Sequence, residues 1–163
     1  MGNIVFIGLY GSEKSRLGKE LSSQLKWSFY DTDAMIEKRE GRKLREICEL
    51  YGENYYLKRE EEILKEVTQL ENAVIAMGDA SPLGPQSLEK LREKGTVVYI
   101  KAPLEGIDSK DIRCLGRYGA ELKMTLNSLD RIYHQGADVV IESHETPSAL
   151  ETLRRMNLFN EDR

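Results

Sequence analysis

Short apolar runs alternate with amphipathic, charged segments along the whole chain. Residues 3–9 (NIVFIGL) form a β-branched run that predicts a buried strand ending near Gly8. Leu17, Leu21 and Leu25 recur at every fourth position, which marks one face of a helix over about 15–25. Residues 27–30 predict a second strand, and 34–39 and 43–50 predict two short helices broken at Gly41. Residues 54–70 predict a longer, strongly charged helix that turns Ile63, Leu64 and Val67 toward the core. A third strand is predicted over 73–77 (AVIAM), then a helix over 88–94 closed by Gly95 as the residue past its end. Residues 96–100 and 138–141 predict the last two strands. Thr146-Pro147 opens a final helix, with Thr as cap and Pro pre-set for the first turn. Five apolar strands separated by helices predict an α/β fold, a five-stranded parallel sheet flanked by helices in three α/β/α layers. Ligands of such sheets bind at the carboxyl ends of the strands. That rule points to segments 8–15, 31–33 and 78–81.

Composition narrows the partners. A chain of 163 residues predicts one domain. Its 24 Lys plus Arg against 28 Asp plus Glu leave a net charge of -4, which argues against nucleic acid. The apolar run 4–7 is far too short for a membrane span, so neither a membrane nor a targeting segment is expected. Cys48 and Cys114 lie far apart and have no zinc-type spacing, which predicts two reduced thiols in a cytoplasmic protein. A monomer is expected.

The first strand exit carries the strongest chemical signal. Gly8-Leu9-Tyr10-Gly11-Ser12-Glu13-Lys14-Ser15 lies between a predicted strand and a predicted helix. It fits the phosphate-loop pattern G-x-x-x-x-G-K-[ST] except that Glu13 stands where the second Gly belongs. In such a loop the backbone N–H groups of Gly8, Gly11 and Ser12 curl round an anion, and the helix N-terminus adds partial positive charge. Lys14 would reach the β- and γ-phosphates of ATP, and Ser15 would hold Mg²⁺. Glu13 works against this twice. It adds a Cβ where the loop favours a glycine conformation, and it brings a carboxylate toward the phosphates. An ordinary strand-to-helix turn with a solvated Lys is the competing reading.

At the second strand exit, Tyr30-Asp31-Thr32-Asp33 carries two carboxylates one residue apart. In an extended segment they would point to opposite sides, one toward Mg²⁺ and one toward a second substrate. The spacing alone fits equally well an Asp that caps the next helix.

Taken together, these segments resemble shikimate kinase, a small phosphate-loop kinase of the nucleoside-monophosphate kinase type. The resemblance runs through NIVFIGLYGSEKS, FYDTD, IEKREGRKLREICELYGENYY, NAVIAMGDA, LREKGTVVYIKAP and the stretch from Tyr133 to Asp138. It implies transfer of the γ-phosphate of ATP to the 3-hydroxyl of shikimate with Mg²⁺. By the same resemblance, Lys14 is the catalytic phosphate-loop lysine and Ser15 and Asp31 serve the metal. Asp33 binds the acceptor hydroxyls as candidate base, Glu60 supports the acceptor pocket, and Gly78 opens the Gly-Gly-Gly loop after the third strand.

The departures gather where anions would be held. The family's GE-x-x-F-R places an Arg on the shikimate carboxylate, and here Leu57 stands at that position after Tyr56. Leu129 stands four residues before Tyr133, where the family has a second Arg. Arg59 and Arg131 are near but displaced, and Asp79-Ala80 replaces two glycines. Arg113 and Arg117 are the nearest candidates for a lid Arg, although a solvated charge explains each as well. Two lost Arg contacts would remove several kcal/mol, on the order of a thousandfold in affinity. The expectation is a family member impaired or inactive on shikimate that still binds nucleotide. A working shikimate kinase with shifted arginines, a non-catalytic binding protein, and a kinase for an acceptor without a carboxylate are the alternatives.

Overall fold

The computed structural model describes residues 2–9, 13–78, 83–103, 122–142, 150, 151 and 153. The order is β1 (Asn3–Ile7), α1 (Lys14–Leu25), β2 (Ser28–Asp31), α2 (Thr32–Glu40), α3 (Leu44–Tyr51) and α4 (Glu53–Val67). Then follow β3 (Ala73–Ala76), α5 (Pro85–Lys94), β4 (Gly95–Lys101), α6 (Leu122–Gly136) and β5 (Val139–Glu142). The strands form one sheet in the order β2-β3-β1-β4-β5, and every pairing is parallel.

The apolar runs are continuous because both sheet faces are covered. Alternate residues of each strand enter different cores. Val5, Ile7, Ile75, Val97 and Tyr99 pack with Ile36, Ile47, Tyr56 and Ile63 of α2, α3 and α4, and with Leu88 and Tyr133 of α5 and α6. Ile4, Phe6, Val74, Val98 and Ile100 pack with Leu17 and Leu21 of α1 and with Leu153. The three predicted layers are therefore present, and Ile63, Leu64 and Val67 face the core as the periodicity requires.

Register aligns the strand exits. Phe6 pairs with Ala76, and Ala76 pairs in turn with Asp31. The chain segments that leave β1, β2 and β3 therefore emerge side by side at one edge of the sheet.

Several local expectations are corrected. Gly95 does end α5 as its cap, but with an extended φ of -178° and not in a left-handed turn, and it is also the first residue of β4. Glycine is needed there for close approach, since a Cβ would lie 2.1 Å from the Asn3 carbonyl oxygen. Helix α6 was not assigned from the sequence, because its stretch between the fourth and fifth strands lacks a clear boundary signal. Cys48 is disulfide-bonded, so the expectation of two reduced thiols does not hold. Cys114 and the Thr146-Pro147 helix start lie outside the described residues.

Candidate active site

Residues from three adjacent strand exits line a cavity of about 280 Å³. Lys14, Ser15, Asp31, Asp33 and Gly78, all expected from the sequence, contribute to its wall, together with Glu13, Arg16 and Glu37. Gly8 is buried at the end of β1, where its carbonyl faces Lys14. Gly11 and Ser12 fall outside the described residues, as do Asp79, Arg113 and Arg117.

Lys14 opens α1 and is only 5% exposed. Its Nζ donates to the Gly8 carbonyl oxygen at 2.8 Å, so the side chain folds back across the loop and not into solvent. The Ser15 hydroxyl donates to Asp31 Oδ2 at 2.6 Å. Asp31 closes β2 and uses Oδ1 to accept from the Ala34 N–H at 3.1 Å, capping α2. The capping reading of Asp31 is realised by one oxygen, and the other oxygen accepts from Ser15.

The expected extended Asp-Thr-Asp is corrected. The chain turns helical at Thr32, and Asp33 sits in the first turn of α2. Asp33 is nearly buried and packs over the exit of β3, where a Cβ on Gly78 would lie 1.9 Å from Asp33 Oδ1. The Gly78 N–H donates to the Thr32 hydroxyl at 2.8 Å, which ties that exit to α2. Gly78 is needed for this close approach and not for an unusual φ.

Glu13 adopts the conformation a glycine would have supplied, with φ 63° and ψ 26°. Its carboxylate pairs with the Arg16 guanidinium at 3.0 Å, and Arg16 also pairs with Glu20 at 3.0 Å. The expected backbone strain is present. The expected bare negative charge is not, because a cation accompanies it.

Tyr56 is the neighbour that sequence reasoning passed over. It is fully buried, and its hydroxyl lies 2.7 Å from Glu60 Oε2 and 3.4 Å from Asp33 Oδ1. Burial, reinforced by the Asp33 and Glu60 carboxylates, pushes its phenol well above the ordinary value of 10.0. A neutral phenol therefore stands between the two acids. One signal was available: Tyr56 and Glu60 are four apart on a helix. The contact to Asp33 spans 23 residues and has no local signature.

The positions of expected anion anchors diverge. Leu129 is packed in the core at 7% exposure, whereas Leu57 is 39% exposed on α4. Neither lines the cavity, so the expectation of two leucines as pocket wall is corrected. Arg59 stacks its guanidinium over the Tyr55 ring at 5.1 Å and pairs with Glu62 at 3.1 Å. Arg131 is exposed. Among the described residues, Arg16 is the one guanidinium on the cavity wall.

Hard oxygen donors at the Ser15–Asp31 pair suit Mg²⁺, which takes one or two protein oxygens and completes its shell with water and phosphate. No group of three or more His, Cys, Asp or Glu that would cage a metal occurs among the described residues.

A parallel sheet in this order, with a lysine and serine at the turn from β1 into α1, defines a phosphate-loop kinase. The comparisons carry this to one family. The shikimate kinase family profile matches residues 10–157. A shikimate kinase from Clostridium botulinum (strain 657 / Type Ba4) is 34% identical over 149 residues, covering 88% of this chain and 85% of that protein. One from Nitrosococcus oceani is 32% identical over 167 residues, covering 96% and 88%. The crystal structure of shikimate kinase from Aquifex aeolicus superposes with a TM-score of 0.80 at 32% identity, covering 97% of this chain and 99% of that one. The enzyme from Acinetobacter baumannii in complex with shikimate gives 0.78 at 25% identity, covering 100% and 96%. The chain belongs to the shikimate kinase family.

Proposed function

We propose that this chain binds a magnesium-bound nucleotide at the β1–α1 loop and is impaired or inactive in phosphoryl transfer to shikimate. The observation that carries the reading is the composition of the cavity wall. Lys14 and the Ser15–Asp31 pair stand where a nucleotide's phosphates and metal would bind. Among the described residues, the single guanidinium on that wall, Arg16, is shared between Glu13 and Glu20.

Lys14 would leave the Gly8 carbonyl for the β- and γ-phosphates of ATP, where its charge offsets theirs. Ser15 and Asp31 would hold the Mg²⁺, which neutralises charge on the transferring phosphoryl group when bound. Asp33, held in the first turn of α2, would accept a hydrogen bond from the acceptor hydroxyl and take its proton as that oxygen attacks. Gly78 would keep space for that carboxylate. The names of the relatives support shikimate as the ancestral acceptor. The lack of arginine at 57 and 129, where the family has its carboxylate-binding pair, supports a weakened hold on that carboxylate.

A second reading is favoured by the acidic wall itself. Asp33 and Glu37 both line the cavity, and their carboxylates offer acceptor oxygens to hydroxyl donors. A polyhydroxylated acceptor without a carboxylate fits it. Calorimetry with Mg²⁺–ADP tests the nucleotide half of the proposal. Saturable binding below millimolar concentration is expected, and no heat and no thermal stabilisation at several millimolar ADP would overturn it.

A further inference from the structure

The family's loop pattern supplies a glycine ahead of the lysine, and this chain supplies an acid. The structure shows what accompanies the acid. Glu13 takes the left-handed conformation and leads directly into α1. Three residues on, the Arg16 Nη2 donates to Glu13 Oε2 at 3.0 Å. One further turn along, Arg16 Nη1 donates to Glu20 Oε1 at 3.0 Å. Glu13 and Arg16 both line the cavity that holds Lys14, Ser15 and Asp31, whereas Glu20 does not.

We infer that Arg16 is an electrostatic counterpart of Glu13, and that nucleotide binding at this loop requires Arg16 as long as Glu13 stands there. The inference rests on the phosphate-loop reading above and gives it a residue of its own. An unpaired carboxylate at the loop would repel a di- or triphosphate that carries two to four negative charges. A guanidinium 3.0 Å from that carboxylate cancels most of its field at the ligand. Glu20 holds the other amino group, so Arg16 stays on the α1 surface next to Glu13. Both ion pairs are roughly half exposed, and such pairs contribute little to folding. The ligand class is a magnesium-bound nucleoside di- or triphosphate.

The device differs from simple repair of a lost glycine. A glycine gives backbone freedom with no charge, while the Glu13–Arg16 pair gives a dipole whose cation flanks the phosphate site. Removal of Arg16 alone must therefore harm binding, and removal of both partners must largely restore it. Removal of Glu20 leaves the local cancellation in place.

The test is a double-mutant cycle read by calorimetry with Mg²⁺–ADP, on the full chain at low salt. Arg16→Gln is expected to weaken binding about fivefold to tenfold. Glu13→Gln alone is expected to leave binding unchanged or tighten it. The double variant is expected to return to within about twofold of wild type, and Glu20→Gln to stay within the same range. An Arg16→Gln protein that binds like wild type overturns the inference, as does a double variant no better than Arg16→Gln. If wild type fails to bind but Glu13→Gly binds, Arg16 does not offset Glu13 and the inference alone fails. If neither binds, the phosphate-loop reading itself fails.

Discussion

At Glu13, φ 63° costs a residue with a Cβ about 1–2 kcal/mol relative to right-handed backbone. Glu13→Gly relieves that strain, partly offset by the greater freedom of glycine in the unfolded chain. A net gain of about 0.5 kcal/mol is expected in urea denaturation, and a loss of stability would contradict the assigned conformation. The conformation was legible from the motif, because the loop pattern specifies glycine there. Its pairing with Arg16 was legible too, in the three- and four-residue spacing to Arg16 and Glu20, but the motif drew attention away from it. Tyr56 was not legible, since its link to Asp33 exists only after α2 and α4 pack. The phenol's raised value has a definite sign. The folded state holds the neutral form while the unfolded chain ionises near its ordinary 10.0. The stability that this group contributes is therefore complete below about pH 10 and is lost as pH rises above it. Tyr56→Phe should flatten the alkaline decline in melting temperature between about pH 9 and pH 11, a unit either side of that ordinary value. A decline unchanged from wild type would mean that the phenol is not held neutral.

Elements decide which substitutions the site can absorb. The exits of β2 and β3 are locked together by the Gly78–Thr32 hydrogen bond and by Asp33 packed over Gly78. Gly78→Ala must displace either the Asp33 carboxylate or the β3 exit. A fall in melting temperature is expected, and an unaltered value would contradict the packing. The two leucines separate in the same way. Leu57 is exposed on α4, so Leu57→Arg should fold with stability within about 0.5 kcal/mol of wild type. Leu129 lies in the core, so Leu129→Arg should cost about 3 kcal/mol or more, read from denaturant midpoints. The sequence placed each described strand to within about a residue or two, and in β1, β3 and β4 the signal was the continuous apolar run that two-sided burial requires. It misjudged the start of α2, because Asp31 can end a strand and cap a helix at the same residue. Gly95 ends α5 as the sequence predicts, and the same glycine admits the Asn3 backbone, a contact with no local signature.

On the scale of the whole molecule, the family fold surrounds a cavity lined from three neighbouring strand exits. The strand order and register bring Lys14, Ser15, Asp31, Asp33 and Gly78 to one edge, which the strand-exit rule identified in advance. The acceptor end was less legible. The absence of arginine at 57 and 129 is plain in the sequence, but the three-dimensional whereabouts of those side chains depend on how α4 and α6 pack. No described helix is long and apolar enough to cross a membrane. The decisive measurement is steady-state phosphorylation of shikimate by the full chain, with saturating Mg²⁺–ATP and shikimate varied to about 10 mM. The account predicts turnover far below the ~1–100 s⁻¹ usual for kinases, without saturation by shikimate. Saturation at submillimolar shikimate with turnover in that usual range would contradict it.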